Sequence, residues 1–441
     1  MAYIQGEARG QHTLFPSTLD ELLPADHVCR VIEAFVGKLN MDELGFVRAE
    51  PAETGRPGYD PRDLLKLYLY GYLHQVRSSR RLEAECRRNV EMMWLLGRLT
   101  PDYKSIAEFR RMHREAVAQA GAELVRLARQ VGLVRGEWVA IDGSKFRAVA
   151  SAGTVREREA VKRYLSQLES CDEQDEIVID PSGAAAALEK LKNDLEPEAQ
   201  FMRTRDGIAP AYNVQTAVDA AHGLIVAQQV TSEATDNRSL LPMAEAAKIA
   251  LGNPATLNVV ADAGYSNGEQ AQRCEEQGIM PHVPANRGVN TQGDGQLFDR
   301  SLFIYDEKTD SFRCPAQQTL RRKQILSKRK SVLYAADVET CSNCRLRSQC
   351  TSTTRRFLQR HLHNGALERM NARATVQAMR LRRCTVERPF ALLKYAIFGH
   401  PRLLLRGLAG ARTEISLATL TYNLKTMMSV LGPAKLAVAL S

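Results

Sequence analysis

EWVAIDGSKF (residues 137–146) and TLNVVADAGY (residues 256–265) decide the fold of this 441-residue chain. Each is a short apolar β-run that reaches an aspartate followed by small residues, the pattern of a buried strand whose last residue emerges at a sheet edge. Between them, AYNVQTAVDAAHGLIVAQQV (211–230) reads as two strands joined in a hairpin at Ala221-His222-Gly223. A helix over 237–250 precedes the second aspartate run, and a helix over 267–278 and a short strand over 279–286 follow it. This alternation predicts an α/β domain over 136–430, with one insertion at about 146–205 and a second, basic and cysteine-bearing, at about 287–365. The first insertion holds the acidic run ESCDEQDEIVID and the Ala-rich helix AAAALEKLKNDL.

Upstream, residues 16–135 read as an all-α domain, behind a tail over 1–15. Thr18-x-x-Glu21 and Ser105-x-x-Glu108 fit capping boxes, and Asp60-Pro61 fits an N-cap followed by proline at the first helical position. Leu64, Leu65, Tyr68, Leu69 and Tyr72 recur at helical spacing. In SSRRLEAECRRNVEMMWLLGRL, Arg80, Arg81, Arg87 and Arg88 lie beside Leu82, Met93, Leu95 and Leu96. That stretch suits a DNA-binding helical module, and equally a plain bundle with solvated arginines. The end, from about 366 to 430, is again helical, with 431–441 expected as a tail.

Composition is globular, with 44% hydrophobic residues and a net charge of +9. Residues 301–441 carry 25 Lys/Arg against 8 Asp/Glu, whereas residues 1–300 carry 35 against 43. So cationic a C-terminal third attracts a polyanion, with salt-sensitive affinity largely blind to sequence if that polyanion is DNA. No run approaches the roughly 18–20 apolar residues that span a bilayer, and MAYIQGEARGQHTLF lacks a basic and then apolar leader, so no membrane association and a cytoplasmic, nucleoid-associated location are expected. Of nine cysteines, Cys314, Cys341, Cys344 and Cys350 fall in FRCPAQQ and CSNCRLRSQC and could close a tetrahedral structural zinc site. Cys29, Cys86, Cys171, Cys274 and Cys384 are scattered and read as small core residues.

The acids that could carry chemistry are Asp142 in VAIDGSKF, Asp262 in NVVADAGYSNGE, and Glu387 in RRCTVERPFALLKYAIF. On a continuous helix Arg383, Glu387 and Lys394 fall on nearly one face, although Pro389 interrupts the pattern. Convergent carboxylates can hold Mg²⁺ or Mn²⁺, which need oxygen ligands, and a pair of such ions serves in-line displacement at a phosphodiester.

These motifs, in this order, resemble the catalytic triad of bacterial insertion-sequence transposases of the DDE type. GRPGYDPRDLLKLYLYGYLHQVRSSRRLEAECRRNVEMMWLLGRLTPDYKSIAEFRR resembles the helical N-terminal domain of one transposase group. VAIDGSKFRA, ADAGYSNGEQ and RRCTVERPFALLK resemble its first-aspartate, second-aspartate and glutamate motifs. The last is also similar to a Tyr–Arg–Glu–Lys signature, filled here by Arg383, Glu387 and Lys394, with Arg380 at the tyrosine position. The resemblance implies a ribonuclease-H-like mixed sheet with an insertion between the second aspartate and the glutamate, and two Mg²⁺ (or Mn²⁺) ions on Asp142, Asp262 and Glu387. It further implies DNA contacts by Arg383, Lys394 and Arg380, with Arg80 and Arg81 in the helical module. The partners it implies are double-stranded DNA, as element terminal inverted repeats and target, and a second copy of the chain on paired ends. A metal-dependent nuclease and an inactive DNA-binding regulator share the same features. A zinc hydrolase is disfavoured, because His361 and His363 are the nearest histidines to the cysteine group.

Overall fold

The computed structural model describes residues 18–47, 58–170, 181–285, 297–327 and 330–440. The expected tail at 1–15 and most of the acidic run ending at Asp180 lie outside them. Six helices build the N-terminal part: α1 (Val28–Lys38), α2 (Pro61–Leu73), α3 (Ser79–Arg88), α4 (Val90–Leu95), α5 (Tyr103–Met112) and α6 (Arg114–Gln130). Asp60 caps α2 through the Arg62 N–H with Pro61 at the first position, and Thr18 and Glu21 form the capping box of a short 3-10 turn. Ser105 does not start a helix. Asp102 caps α5 instead, accepting the N–H groups of Lys104 and Ser105, so the box signal was displaced by a better acceptor three residues upstream.

The sheet that follows contains β1 (Trp138–Arg147), β2 (Gln200–Thr204), β3 (Gly207–Asp219), β4 (Ile225–Thr231), β5 (Leu257–Val260) and β6 (Ile279–His282). β1 pairs antiparallel with β3 and parallel with β5, which pairs parallel with β6; β2 and β4 both lie antiparallel to β3. Four antiparallel strands, β1–β4, continued beyond β1 by the two parallel strands β5 and β6, form a ribonuclease-H-like sheet. β1 runs ten residues, so Asp142 sits mid-strand, paired with Thr216, and is not the strand's last residue. The first insertion is accordingly the helical part, α7 (Ala152–Ser170) and α8 (Pro181–Lys192), while β2 belongs to the sheet. α9 (Leu240–Ala250) packs on β1, β3 and β4, and α10 (Gly268–Glu276) on β6.

The second insertion has its own five-stranded antiparallel sheet: β7 (Ile304–Asp306), β8 (Ser311–Arg313), β9 (Thr319–Leu326), β10 (Ser331–Ala335) and β11 (Phe357–His361), with the short helices α11 (Val338–Ser342) and α12 (Arg347–Cys350). Phe303, Phe312, Leu320, Val332, Tyr334 and Leu358 form a separate small core there. The chain returns through α13 (Asn364–Arg373), which packs on α10 and β6. This return is tight: a Cβ on Gly268 would meet His361 Nδ1 at 2.7 Å and the His363 carbonyl at 3.0 Å.

α14 (Val376–Ala391) runs into a π-helical turn, Leu392–Ile397, and the chain continues through α15 (Gly407–Leu431) to α16 (Pro433–Leu440). Residues 433–440 are thus a helix where a tail was expected, because Leu436 and Leu440 are fully buried and α16 packs on α1. α15 packs on α2 and α6 as well as on β3 and β4, and one continuous apolar core runs from Leu23 to Leu440. The boundary near 135 is therefore a change of pattern along the chain and not a gap in packing. No helix among the described residues is long and apolar enough to cross a membrane.

Polar ties seal this junction. Arg77, in the turn after α2, donates to Glu414 of α15 at 3.0 Å and to the carbonyls of Phe398 and Arg402 at 3.2 Å. The other Glu414 oxygen accepts the N–H groups of Leu404 and Leu405. Gln75, in the same turn, donates to the carbonyls of Tyr395 and Ala396. Glu414 is fully buried, so Arg77→Met, which strands its charge, is expected to cost about 3–5 kcal/mol in urea unfolding. Arg77→Met/Glu414→Gln should cost less than the single change.

Candidate functional site: two aspartates beneath one helix

Asp142 projects from the middle of β1 and Asp262 follows the end of β5, and these strands are parallel neighbours, with Ala140 beside Val260. Alternation puts Ala140, Asp142 and Phe146 on one face of β1. Ala140 and Val260 pack there against Ala378 and Val386 of α14, so the helix lies directly over the strands that carry both acids. Asp262 caps the 3-10 turn Ala263–Tyr265 by accepting the Gly264 N–H at 2.8 Å.

Arg382 closes the arrangement. Its Nη2 donates to Asp142 Oδ1 at 2.8 Å and to Asp262 Oδ2 at 3.4 Å, so one oxygen of each carboxylate converges on a single cationic nitrogen. The Asp142 side chain is 21% exposed and that of Asp262 46%, so the pair sits in a partly sheltered site open on the Asp262 side. Burial pushes Asp142 up to about 6; Arg382 opposes this and the Asp262 charge adds to it. Lys394, in the π turn, lies half-buried with its ammonium 5.7 Å from the centroid of the Phe146 ring. Burial holds it below the usual lysine range, and Asp142 pulls the other way.

The opposite face of β1 is apolar at Val139 and Ile141 and becomes a closed polar network at Gly143 and Lys145. Gln215 donates to Asp236 Oδ1 at 2.6 Å and to Asn213 Oδ1 at 3.0 Å, Asn213 donates to Asp236 at 2.7 Å, and Lys145 pairs with Asp236 at 3.3 Å. Tyr265 donates to Gln215, joining this network to the turn that carries Asp262. A Cβ on Gly143 would lie 2.3 Å from Gln215 Nε2 and 2.7 Å from Asp236 Oδ1, which is why glycine follows Asp142.

Glu387 lies on the same helix as Arg382 but does not share its contacts with the two aspartates. α14 turns Ala378, Arg382, Val386 and Pro389 inward, and five residues at 3.6 per turn place Glu387 about 140° around the helix from Arg382. Glu387 is exposed, with no hydrogen bond or ion pair among the described residues, on the same outward stripe as Arg380 and Arg383. The π turn after Pro389 takes Lys394 off that stripe and toward Phe146. Arg80 and Arg81 are exposed on α3, Arg80 over the Tyr103 ring, while Arg87 and Arg88 pair with Glu83 and Glu85. Sequence reading missed Arg382 and Asp236. The available signal for Arg382 was one charge embedded in an inward stripe of small and apolar residues at helical spacing.

Cys314, Cys341, Cys344 and Cys350 line one small cavity of the inserted domain. Burial raises the Cys350 thiol, Arg356 opposes this, and the other three cysteines add to it. The four sulfurs do not close to within 4.8 Å of one another; among the described residues His27, Cys29 and Glu91 do. That second group is a structural tie, since His27 caps α1 and burial pushes the Cys29 thiol up to about 12. Cys29, Cys86 and Cys274 are buried as expected, but Cys384 is exposed because it lies on the outward side of α14, and Cys171 lies outside the described residues.

Because Asp142 is raised in the folded protein, its ionised form lowers stability: the favourable contribution is present below the unfolded value near 4 and is lost as pH rises through about 6. In chelator, Asp142→Asn is therefore expected to be more stable than wild type at pH 7 by on the order of 1–3 kcal/mol, and to unfold at a higher temperature, with the difference vanishing toward pH 4 in calorimetry.

Residues 17–112 match the family described as Transposase domain (DUF772). No curated protein matches the chain. Among solved structures, the cryo-EM structure of a piggyBac transposase synaptic complex with hairpin DNA is similar at a TM-score of 0.35 and 9% identity, over 94% of this chain and 79% of that one. Residues 199–424, more than half of the chain and including Asp262, Arg382 and Glu387, match the Transposase DDE domain, and the chain therefore belongs to the DDE transposase family.

Proposed function

We propose that this transposase cuts DNA at the ends of its mobile element and joins the freed 3′-hydroxyl to target DNA, with Asp142 and Asp262 as the core of a divalent-cation site. The observation that carries this reading is the convergence of both carboxylates on one cationic nitrogen beneath α14. Oxygen donors so arranged suit Mg²⁺ or Mn²⁺. When bound, two such ions would activate the attacking oxygen and stabilise the leaving one. Water attacks the phosphodiester and releases the 3′-hydroxyl, which then attacks the target strand; in each step one P–O bond forms as another breaks.

The chain supplies position and charge. Glu387 is the third acid of the set, carried on the helix that covers both aspartate-bearing strands. Lys394 beside Phe146, and Arg383 and Arg380 on the exposed side of α14, are suited to phosphates of double-stranded DNA. The inserted sheet adds Arg321, Arg322 and Lys323 along the exposed strand β9, and Arg80 and Arg81 add exposed charge on α3. Four cysteines around one cavity suit a structural zinc ion that would stabilise the inserted domain. Terminal repeats and target DNA are the substrates in this reading, and two copies of the chain pair the ends.

The test is an excision and joining assay with a marker flanked by the DNA that borders the gene. Asp142→Asn, Asp262→Asn and Glu387→Gln are each expected to abolish cleavage while end binding persists. Wild-type cleavage by any one of them removes that residue from the set, and cutting without joining by the wild type would instead favour a nuclease. Lys394→Ala and Arg383→Ala should each weaken binding across DNA sequences and flatten the slope of log affinity against log salt by about one, as measured by fluorescence anisotropy.

A further inference from the structure

We propose that Arg382 is a resident counter-ion, occupying the cation position between Asp142 and Asp262 and giving it up when a divalent ion loads. This rests on the reading above that the two aspartates form the metal site.

Three observations lead there. The first is geometric, since Nη2 alone meets an oxygen of each aspartate at 2.8 and 3.4 Å, making the contacts that a bridging cation would make. Second, the guanidinium is lightly held on its other side: among the described residues Nε is buried without a hydrogen-bond partner, so the two carboxylate contacts of Nη2 are what departure forfeits. Third, the backbone beneath it is fixed, because Ala378 and Val386, one turn before and after, are packed on Ala140 and Val260. Exchange is therefore a side-chain motion and needs no movement of α14.

The arrangement has a physical purpose. Two carboxylates facing each other in a partly buried site repel, and without a cation they would spread apart or take up a proton. Arg382 keeps both ionised oxygens aimed at one point while the site waits, which preorganises it. In return every divalent ion must compete with a tethered positive charge. Loading is then an exchange of one guanidinium for one dication, and Asp262, the more exposed partner, faces the route of entry.

The experiment uses full-length protein, stripped of metal and without DNA, titrated with Mn²⁺ while free Mn²⁺ is followed by electron paramagnetic resonance. Arg382→Gln is expected to bind Mn²⁺ on the order of tenfold more tightly than wild type. Arg382→Lys, which keeps the charge, should stay close to wild type, and Arg382→Gln/Asp142→Asn should lose the gain. Unchanged or weaker affinity in Arg382→Gln, or a gain that survives Asp142→Asn, overturns the exchange. A crystal structure of the wild type with Mn²⁺ tests it independently of any variant's folding: Nη2 should leave hydrogen-bond reach of both aspartates, and retention of both contacts beside a bound ion overturns it. DNA cleavage separates the two readings. Wild-type cleavage with unchanged Mn²⁺ affinity in Arg382→Gln overturns the exchange alone, and tightened Mn²⁺ binding with no cleavage of any DNA overturns the functional reading alone.

Discussion

The buried pair between Arg77 and Glu414 is the constraint on which the remaining architecture depends. A fully buried carboxylate is tolerable only when each oxygen is satisfied, and here one meets Arg77 while the other takes two backbone N–H groups. The guanidinium also ties down the carbonyls of Phe398 and Arg402, so the turn after α2 fixes the course of the chain from the π turn to α15. Gln75 holds two carbonyls of the π turn itself. The position of Lys394 near Asp142 thus depends on residues of the helical part, far away in sequence.

The site beneath α14 follows the opposite principle. Where the Arg77 pair is sealed and multiply anchored, the Arg382 contacts are few and partly open to water. Both are arginine–carboxylate pairs, but the first also ties down backbone carbonyls, whereas the second joins side chains alone. On the other side of β1 from Asp142, side-chain bonds among Gln215, Asn213, Asp236, Lys145 and Tyr265 brace the strand and the Asp262 turn that carry the two aspartates.

Much of this was legible in the sequence. The two aspartate strands, the 211–230 hairpin, the proline-started α2 and the helix carrying Glu387 all have local signals, because apolar runs and caps act over a few residues. What was not legible depends on distant partners. β1 continues past Asp142 because β3 offers a long antiparallel edge, and nothing within GSKFR announces that. β9, with exposed residues on both sides of its pleat, lacks the alternation that marks a half-buried strand. Arg382 was not legible because an ideal helix projected through Pro389 draws the eye to Arg383, Glu387 and Lys394, whereas the inward direction of Arg382 follows from the packing of Ala378 and Val386 on two distant strands. α16 reads as a tail by its brevity, and only the apolar side of α1 makes it a helix in a core.

That last pairing bears on how the protein comes into being. α1 is made early, yet Val31, Ile32 and Phe35 on its inner side belong to a core that Leu436 and Leu440 complete. Synthesis runs from N- to C-terminus, so the part of this apolar side that α2 and α4 leave open stays open until residues 433–440 have emerged from the ribosome. A chain stopped short of them could form the sheet that holds both aspartates and still lack the cover for its first helix. Such a product would be marked for clearance by its own exposed surface before it could act on DNA.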